Sequence, residues 1–331
     1  MTIGLLRKLT CSFVLLAAYP RQTSAPVGND ASIDVVTVGQ SKLQVELSGA
    51  TPDMSRAAID EGVRRAALAV ATYYGRFPVA SARVRIVVAP DRSGVMQGTT
   101  WGNVDGFPAL TRIRLGQHTT EQEFYTDWKL THELTHMALA DQDEQQAWLE
   151  EGIASYVEPI ARGQAGQMTP EQVWQGMVDG MPNGEPETGD QGLNRTHSWG
   201  RTYWGGAMFC LVADIEIRKQ THNARGLQDA LRGIVETGGT IDTDWPVGRV
   251  LSIGDKATGT RVLEDLYAKW SGAPVEVDLA KMWQELGIRV QAGKIVFDDA
   301  APLAGVRRAI VAPPQNPAAD RHKFAEKAGK L

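Results

Sequence analysis

Residues 131–159 read THELTHMALADQDEQQAWLEEGIASYVEP, and they gather two imidazoles and several carboxylates in one short segment. His132 and His136 are four residues apart, so on a helix both side chains leave the same face, about 6 Å from each other. A single tetrahedral metal ion can bridge that separation. Glu133 follows the first histidine on another part of the helix surface, from which it can reach a metal-bound water without binding the metal itself. The stretch therefore predicts a helix that carries a metal centre.

A site of the form His-Glu-x-x-His needs a third ligand, and the next predicted helix offers Glu151. Glu151 shares one stripe of that helix with Trp148 and Ser155, whereas Leu149 and Ile153 point elsewhere, into the core. The sequence thus predicts that Glu151 faces the two histidines. The competing interpretation is a helix with two surface or core histidines and no metal.

The motif HELTH followed by WLEEGIASYVE resembles the metal-binding motifs of the glutamate-zincin metallopeptidases, in particular the glycyl aminopeptidase and membrane alanyl aminopeptidase groups. Their second motif reads Trp-Leu-x-Glu-Gly-x-Ala. The resemblance implies a zincin-like catalytic domain with one Zn²⁺ per chain. It assigns His132, His136 and Glu151, rather than Glu150, as the metal ligands, and Glu133 as the general base.

A later segment, RTYWGGAMFCLVADIEIRKQ at 201–220, resembles the Tyr-x-Lys-Gly helix of the same families. The resemblance assigns Tyr203 as the catalytic group that stabilises negative charge in the transition state. The lysine of the family motif is Gly205 in this chain. The segment GTTWGN at 98–103 is the counterpart of the Gly-x-Met-Glu-Asn motif, but it lacks the glutamate that would hold a substrate's free amine. The choice between endopeptidase and aminopeptidase therefore stays open.

The function that this resemblance implies is a secreted zinc metallopeptidase, whose partner is a peptide or protein substrate. It would hydrolyse peptide bonds through a metal-activated water, with Glu133 as the base. The alternative from another class is a non-catalytic zinc-binding envelope protein that acts as an interaction module. Glu133 argues against that alternative, because a purely structural metal site needs no base.

Composition excludes other classes of function. The 331 residues are 43% hydrophobic and 22% charged, as expected for a globular protein with room for a buried pocket. The formal net charge is −5, with both signs interspersed and no long run of lysine or arginine, so nucleic acid is not an expected partner.

The amino-terminal residues predict export. Arg7 and Lys8 precede an apolar run at 9–19, and small residues follow, which is the pattern of a secretory signal peptide. The run is shorter than the roughly 20 residues of a membrane-spanning helix, so no stable membrane insertion is expected after its removal. We therefore expect a periplasmic or secreted protein. With Cys11 inside the signal, Cys210 would be the single thiol, and its apolar surroundings in sequence predict a buried one.

Hydrophobic periodicity predicts the α+β class, with a small mixed N-terminal sheet followed by a mostly helical half. Strand patterns occur at 33–48, from 82 and at 111–116, with a helix at 53–74 between them. Helices are predicted near 120–140, 144–159, 169–180, 200–220, 225–237, 258–271 and 278–286, and short strands at 288–297 and 305–311. A capping box of Thr120 and Glu123 predicts the start of the helix that carries the histidines.

These elements suggest four units. Residues 1–25 form the signal peptide, and residues 26–118 an N-terminal α+β half whose strand at 111–116 lies at the substrate edge. Residues 119–290 form the zincin-like helical half with the zinc site, and residues 291–331 the C-terminal strands and a loose tail. An exposed edge strand can pair with an extended peptide, which is why the substrate is expected there.

Several residues near the motifs keep two interpretations. His197 either helps to hold an oxyanion or makes a loop hydrogen bond, and Glu158 either orients a histidine or is a solvated charge. The tryptophans at 101, 128, 148, 199 and 204 either line an apolar cleft or pack in the core.

Overall fold

The first part of the chain builds a six-stranded mixed sheet. The computed structural model describes residues 9–10 and 33–313, so most of the predicted signal peptide and the predicted tail beyond 313 lie outside the described residues. The strands are β1 (Leu9–Thr10), β2 (Ile33–Val38), β3 (Ser41–Gly49), β4 (Ser81–Ala89), β5 (Val95–Val104) and β6 (Phe107–Gly116). Their order across the sheet is β1-β5-β6-β4-β3-β2.

Three central strands, β3, β4 and β6, run parallel, while β2 and β5 are antiparallel to their neighbours. Helix α1 (Arg56–Tyr74) makes the crossover between β3 and β4, as a parallel pair requires. It starts at Ser55, whose hydroxyl accepts a hydrogen bond from the Ala58 amide, and it ends at Gly75 in the left-handed conformation. Its buried residues join the apolar face of the sheet in one core.

The rest of the described chain is mostly helical. The helices are α2 (Glu121–Thr126), α3 (Lys129–Thr135), α4 (Ala147–Gln164), α5 (Pro170–Gly180), α6 (Gly206–Gln220), α7 (Leu227–Glu236), α8 (Val247–Thr258), α9 (Val262–Trp270), α10 (Leu279–Leu286) and α11 (Ala304–Val311). Short 3₁₀ turns occupy His136–Ala138, Glu144–Gln146 and Met181–Gly184, and a π-helical segment, Gly200–Gly205, leads into α6. The hairpin β7 (Ile288–Gln291) and β8 (Lys294–Phe297) precedes α11. The predicted α+β class is therefore confirmed.

The prediction that the strand at 111–116 lies at an edge of the sheet is wrong. The residues 111–116 belong to β6, which lies inside the sheet, hydrogen-bonded to β4 on one side and β5 on the other. The strand β5 was not predicted, because glycine is depleted in strands and this segment contains two, Gly98 and Gly102. Both glycines are needed for close approach: a Cβ on Gly98 would overlap the Glu133 side chain, and one on Gly102 the Ile241 carbonyl.

The helix predicted over 120–140 is divided into two. The capping box of Thr120 and Glu123 forms as predicted, but it opens the short helix α2, which ends at Asp127 in extended backbone. The Asp127 carboxylate then accepts a hydrogen bond from the Lys129 amide at 2.7 Å, so it terminates one helix and supports the start of the next.

Two further expectations differ from the structure. The strand predicted at 305–311 is wrong, since this segment is helix α11: its buried residues Val306 and Ile310 are one helical turn apart, rather than alternating as in a strand. The expected boundary at 290 falls inside β7. Cys210 is a buried free thiol in α6. No helix among the described residues combines the length and hydropathy needed to cross a bilayer.

Candidate metal centre

Three side chains from two helical segments converge at a buried point between the sheet and the helical half. His132 lies on α3, His136 opens the 3₁₀ turn that follows, and Glu151 is in the first turns of α4. The Glu151 Oε2 atom lies 3.0 Å from His132 Nε2 and 3.5 Å from His136 Nε2. The structure thus brings together the three residues that the sequence proposed as ligands.

The spacing of these atoms fits a tetrahedral zinc ion. Two ligand atoms about 2.0–2.1 Å from such an ion are about 3.3–3.4 Å apart, and the observed distances of 3.0 and 3.5 Å lie on either side of that value. Two imidazole nitrogens and one carboxylate oxygen are also a donor set that leaves one position of the ion open. Within the described residues, this is the one group of three or more potential ligands that lies so close together.

The adjacent glutamates of α4 have different surroundings. The Glu150 carboxylate accepts a hydrogen bond from the Gln142 amide at 2.9 Å. Glu151 instead faces His132 and His136, as the helical stripe predicted. Helix α4 is held in this position by close contact with α6: a Cβ on Gly152 would overlap Gly206, and a Cβ on Gly206 would overlap the Trp148 carbonyl.

Burial and mutual contact shift the proton affinities of the cluster. Burial lowers the pKa of His132, while the hydrogen bond that its imidazole makes to the Glu151 carboxylate opposes this shift. Burial also disfavours the charged form of His136, but the carboxylates of Glu151 and Glu133 outweigh it and raise that pKa to about 9. Burial of Glu151 is likewise outweighed by the two imidazoles, which hold its pKa well below the usual range. The cluster therefore favours a positive charge beside the Glu151 carboxylate. A bound divalent cation would provide that charge, and both imidazoles would then be neutral.

Glu133 lies beside this cluster and is positioned by the sheet. Its Oε2 atom is 2.8 Å from the Thr100 hydroxyl on β5, which also lies 3.0 Å from the Glu133 backbone carbonyl and 2.9 Å from the Thr111 hydroxyl. Burial raises the pKa of the Glu133 carboxyl to about 7, while His136 and the Thr100 hydrogen bond oppose the shift. Sequence reasoning missed Thr100 and noted Gly98 only as part of the GTTWGN segment, since their role depends on a contact with a helix far along the chain.

The Tyr203 ring stacks on the His132 ring. It lies 6.1 Å from the His132 ring at an interplanar angle of 20°, and Trp199 stacks on it at 6.2 Å and 27°. Tyr203 belongs to the π-helical segment, a feature often found at functional sites. His197, the other oxyanion candidate, is exposed.

A cavity of about 650 Å³ opens beside His132 and Tyr203. The tryptophans are divided between this cavity and other positions: Trp128, Trp199 and Trp204 line it, Trp148 is buried in the core, and Trp101 packs under Arg112 of the sheet. Both interpretations of the tryptophans therefore apply, each to different residues.

Glu158 also lines the cavity, and it is not a solvated charge. It is buried and forms an ion pair with Arg162 at 2.8 Å, and burial raises its pKa to about 6 against the opposing effect of that arginine. A second bond from Arg162, to the Thr126 carbonyl at 2.9 Å, fixes the pair against the end of α2.

Neither a family model nor a curated protein matches this sequence. Solved structures do match the fold. An aminopeptidase N family protein from Idiomarina loihiensis aligns with a TM-score of 0.60 at 16% sequence identity, over 79% of this chain and 50% of that one. An M1 zinc metallopeptidase from Deinococcus radiodurans aligns with a TM-score of 0.47 at 17% identity, over 76% of this chain and 53% of that one.

The fold and the cluster together define the class of this molecule: an α+β protein of the fold seen in the aminopeptidase N family structure, with a buried two-histidine, one-glutamate cluster at the junction of its sheet and helices. The chain spans about half the length of the structures it matches. At 16% sequence identity this likeness establishes the fold alone.

Proposed function

We propose that this protein is a zinc-dependent metallopeptidase of the glutamate-zincin type that hydrolyses peptide bonds. The observation that carries the proposal is the buried convergence of His132, His136 and Glu151 at zinc-like spacing, with the carboxylate of Glu133 beside it. The fold shared with an aminopeptidase N family protein supports it. When bound, one zinc ion per chain would act as a Lewis acid toward a peptide carbonyl and make water more acidic.

In this proposal Glu133 accepts the proton of the attacking water and later passes it to the leaving amine. Burial raises the pKa of the Glu133 carboxyl, which favours its acceptance of a proton. The hydrogen bond from Thr100 fixes the direction of the carboxylate, so little reorganisation is needed during the reaction. Thr100 acts here as a positioning residue.

Tyr203 donates its hydroxyl proton in a hydrogen bond to the carbonyl oxygen as negative charge develops there. Its position over the His132 ring, between that ring and Trp199, supports this role. In place of β6, we assign β5 as the strand beside which an extended peptide lies, because it carries Thr100 next to Glu133. The outer side of β5 pairs with β1 (Leu9–Thr10), which belongs to the predicted signal peptide, so its removal would leave this edge to the substrate.

The test of this function is the variant Glu133→Gln, which keeps size and hydrogen-bonding capacity but cannot accept a proton. Zinc content and melting temperature are expected to stay near those of the parent, while cleavage of a mixed peptide library falls by about 10² to 10⁴. Glu144→Gln is the matched control, since Glu144 is an exposed glutamate of the same segment. Library cleavage with and without chelator is followed by mass spectrometry.

Two results would count against parts of the proposal. Equal cleavage by the parent and by Glu133→Gln would remove Glu133 as the base. A parent that binds zinc but cleaves no peptide of a broad library would instead support the non-catalytic zinc-binding interaction module.

We also propose export to the periplasm or the cell exterior, supported by the Arg7 and Lys8 head and the apolar run after it. Cell fractionation with N-terminal sequencing tests this. Recovery of the protein only from the cytosol, with Met1 intact, would contradict it.

A further inference from the structure

The cavity beside the metal cluster runs along one face of α4. Its wall takes five residues from this helix, four of them in the i, i+3, i+4, i+7 pattern of a single face: Ser155, Glu158, Pro159 and Arg162, with Tyr156 beside them. With a rise of about 1.5 Å per residue, the wall is about 10 Å long. His132 and Tyr203 stand at one end of it. The volume of about 650 Å³ is in the range of specific ligand pockets and can hold a large side chain together with its backbone.

The lining is predominantly apolar and partly open to water. Three tryptophans and four methionines contribute to it: Trp128, Trp199, Trp204, Met96, Met168, Met177 and Met181. Met96 and Trp128 are each 40% exposed and Trp199 is 54% exposed, which is unusual for side chains of this size. A contiguous exposed apolar surface inside a concave site is typical of a surface that is covered when a ligand binds.

The charged groups of the lining already have partners. Lys129 pairs with Asp127 at 3.0 Å, and Arg162 pairs with Glu158 at 2.8 Å. A charged substrate side chain would therefore lose its hydration without gaining a free opposite charge, and the cavity selects against it. A neutral apolar side chain has no such cost.

Gly176 is an exposed glycine in the lining of the cavity. It lies inside helix α5, where glycine is disfavoured, and it lines the cavity. A Cβ at this position would have no atom within 4 Å, and the backbone angle does not require glycine. A larger residue could be accommodated by the helix itself but would take up cavity space.

We propose that this cavity is the subsite for a bulky apolar side chain next to the scissile bond, and that Gly176 is its size-determining residue. The proposal rests on the metallopeptidase function above. Methionine side chains adapt to different shapes, so the subsite accepts several large apolar residues, such as phenylalanine, leucine and methionine, rather than one. Peptides with small or charged residues at this position are poor substrates.

The experiment compares zinc-loaded parent, Gly176→Leu and Gly248→Leu on two peptides with free amino termini that differ only in one phenylalanine or alanine. Gly248 is the matched control, because it is also a helical glycine with no atom within 4 Å of a Cβ, in α8 and away from the cavity. The parent should cleave the phenylalanine peptide with a kcat/KM at least about tenfold higher. The ratio of kcat/KM for the phenylalanine peptide to that for the alanine peptide should fall most of the way to one in Gly176→Leu and part of the way in Gly176→Ala. It should be unchanged in Gly248→Leu.

Binding of the same two peptides provides a readout that does not need turnover. It is measured by tryptophan fluorescence on zinc-loaded Glu133→Gln, with and without Gly176→Leu, since three tryptophans line the cavity. The phenylalanine peptide should bind more tightly, and Gly176→Leu should remove the difference.

The outcomes separate the subsite from the function. If the parent cleaves both peptides equally well, the proposed subsite is wrong but the proposed peptidase activity stands. The same holds if Gly176→Leu and Gly176→Ala leave the preference for phenylalanine intact. If neither peptide is cleaved, the proposed peptidase activity is wrong, and the binding experiment then tests the subsite alone. Tighter binding of the phenylalanine peptide that Gly176→Leu removes supports the subsite. Equal binding of both peptides overturns it.

Discussion

Glu150 and Glu151 are neighbours in the chain, but their carboxylates face different parts of the molecule, and this makes a direct test of the ligand set. We expect Glu151→Ala to lose zinc, because its Oε2 atom is the one placed between the two imidazoles. Glu150→Ala should retain about one zinc per chain, since Glu150 instead accepts from the Gln142 amide. Metal analysis of both purified variants measures this. Loss of zinc from Glu150→Ala with retention in Glu151→Ala would reverse the assignment.

Tyr203 is tested by removing its hydroxyl alone. If that group acts on charge that develops in the transition state, Tyr203→Phe should lower kcat by about 10² or more and change KM little. The phenyl ring retains the stacking on His132, so the fold and zinc content should be unaffected. Tyr125→Phe is a suitable control, because its hydroxyl bonds to the Ala58 carbonyl far from the cluster. An unchanged kcat would exclude Tyr203 and make His197→Ala the next variant.

The residue-scale predictions succeeded where the information is local. The spacing of His132 and His136 and the stripe that contains Glu151 follow from helical geometry alone, and the structure places the three side chains together. Thr100 was beyond such reasoning, because it meets Glu133 across 33 positions of sequence, through a strand that was not predicted.

At the scale of elements, the close contact between α4 and α6 involves Gly152, the residue next to Glu151. Gly152 and Gly206 let the two helix backbones touch. We expect Gly152→Ala to force the helices apart, to lower the free energy of unfolding by about 1–3 kcal/mol, and to weaken zinc binding because Glu151 is the adjacent residue. Thermal denaturation and zinc titration measure the two effects.

Gly176→Ala is the control for this change, because it is a helical glycine with open space, where alanine should preserve or slightly raise the melting temperature. If Gly152→Ala were as stable as Gly176→Ala and bound zinc equally well, the helix contact would not set the position of Glu151.

Elements were predictable where one local pattern dominates, as in α1 and α4, and unpredictable where close packing between distant segments required exceptions to that pattern. Of the two glycines that obscured β5 in the sequence, Gly98 lets the helix that carries Glu133 approach the strand, and Gly102 lets the Ile241 carbonyl approach it. Asp127 ends α2 and supports the start of α3. It does so through one side-chain hydrogen bond, which cannot be predicted from hydrophobic periodicity.

At the scale of the whole molecule, the single core that joins sheet and helices predicts the behaviour of Cys210. This thiol is 1% exposed in the middle of α6, and burial raises its pKa well above the usual range. We expect it to be unreactive toward a thiol reagent at pH 8 in the folded protein and to react stoichiometrically in denaturant. A Cys11→Ser background leaves Cys210 as the one cysteine to be followed. Rapid labelling of the native variant would show that this core opens readily.

The fold class followed from the order of strand and helix patterns, whereas the order of strands in the sheet did not. Pairing of β4 with β6 depends on contacts between distant parts of the chain, and it placed the expected edge strand in the interior. Sequence periodicity shows which face of a strand is buried but not which strand is its neighbour.

The π-helical segment Gly200–Gly205 makes the position of Tyr203 depend on the number of residues in this segment. A π turn contains one residue more than the matching α turn, so the segment is equivalent to an α-helix with one residue inserted. Deletion of Gly205 would let α6 continue as a regular helix through Tyr203, and each residue of such a helix corresponds to a rotation of about 100°. Tyr203 would then turn away from the His132 ring although no side chain of the site had changed. A shortening by one residue would thus take Tyr203 out of the site while His132, His136, Glu151, Glu133 and the cavity remained in place.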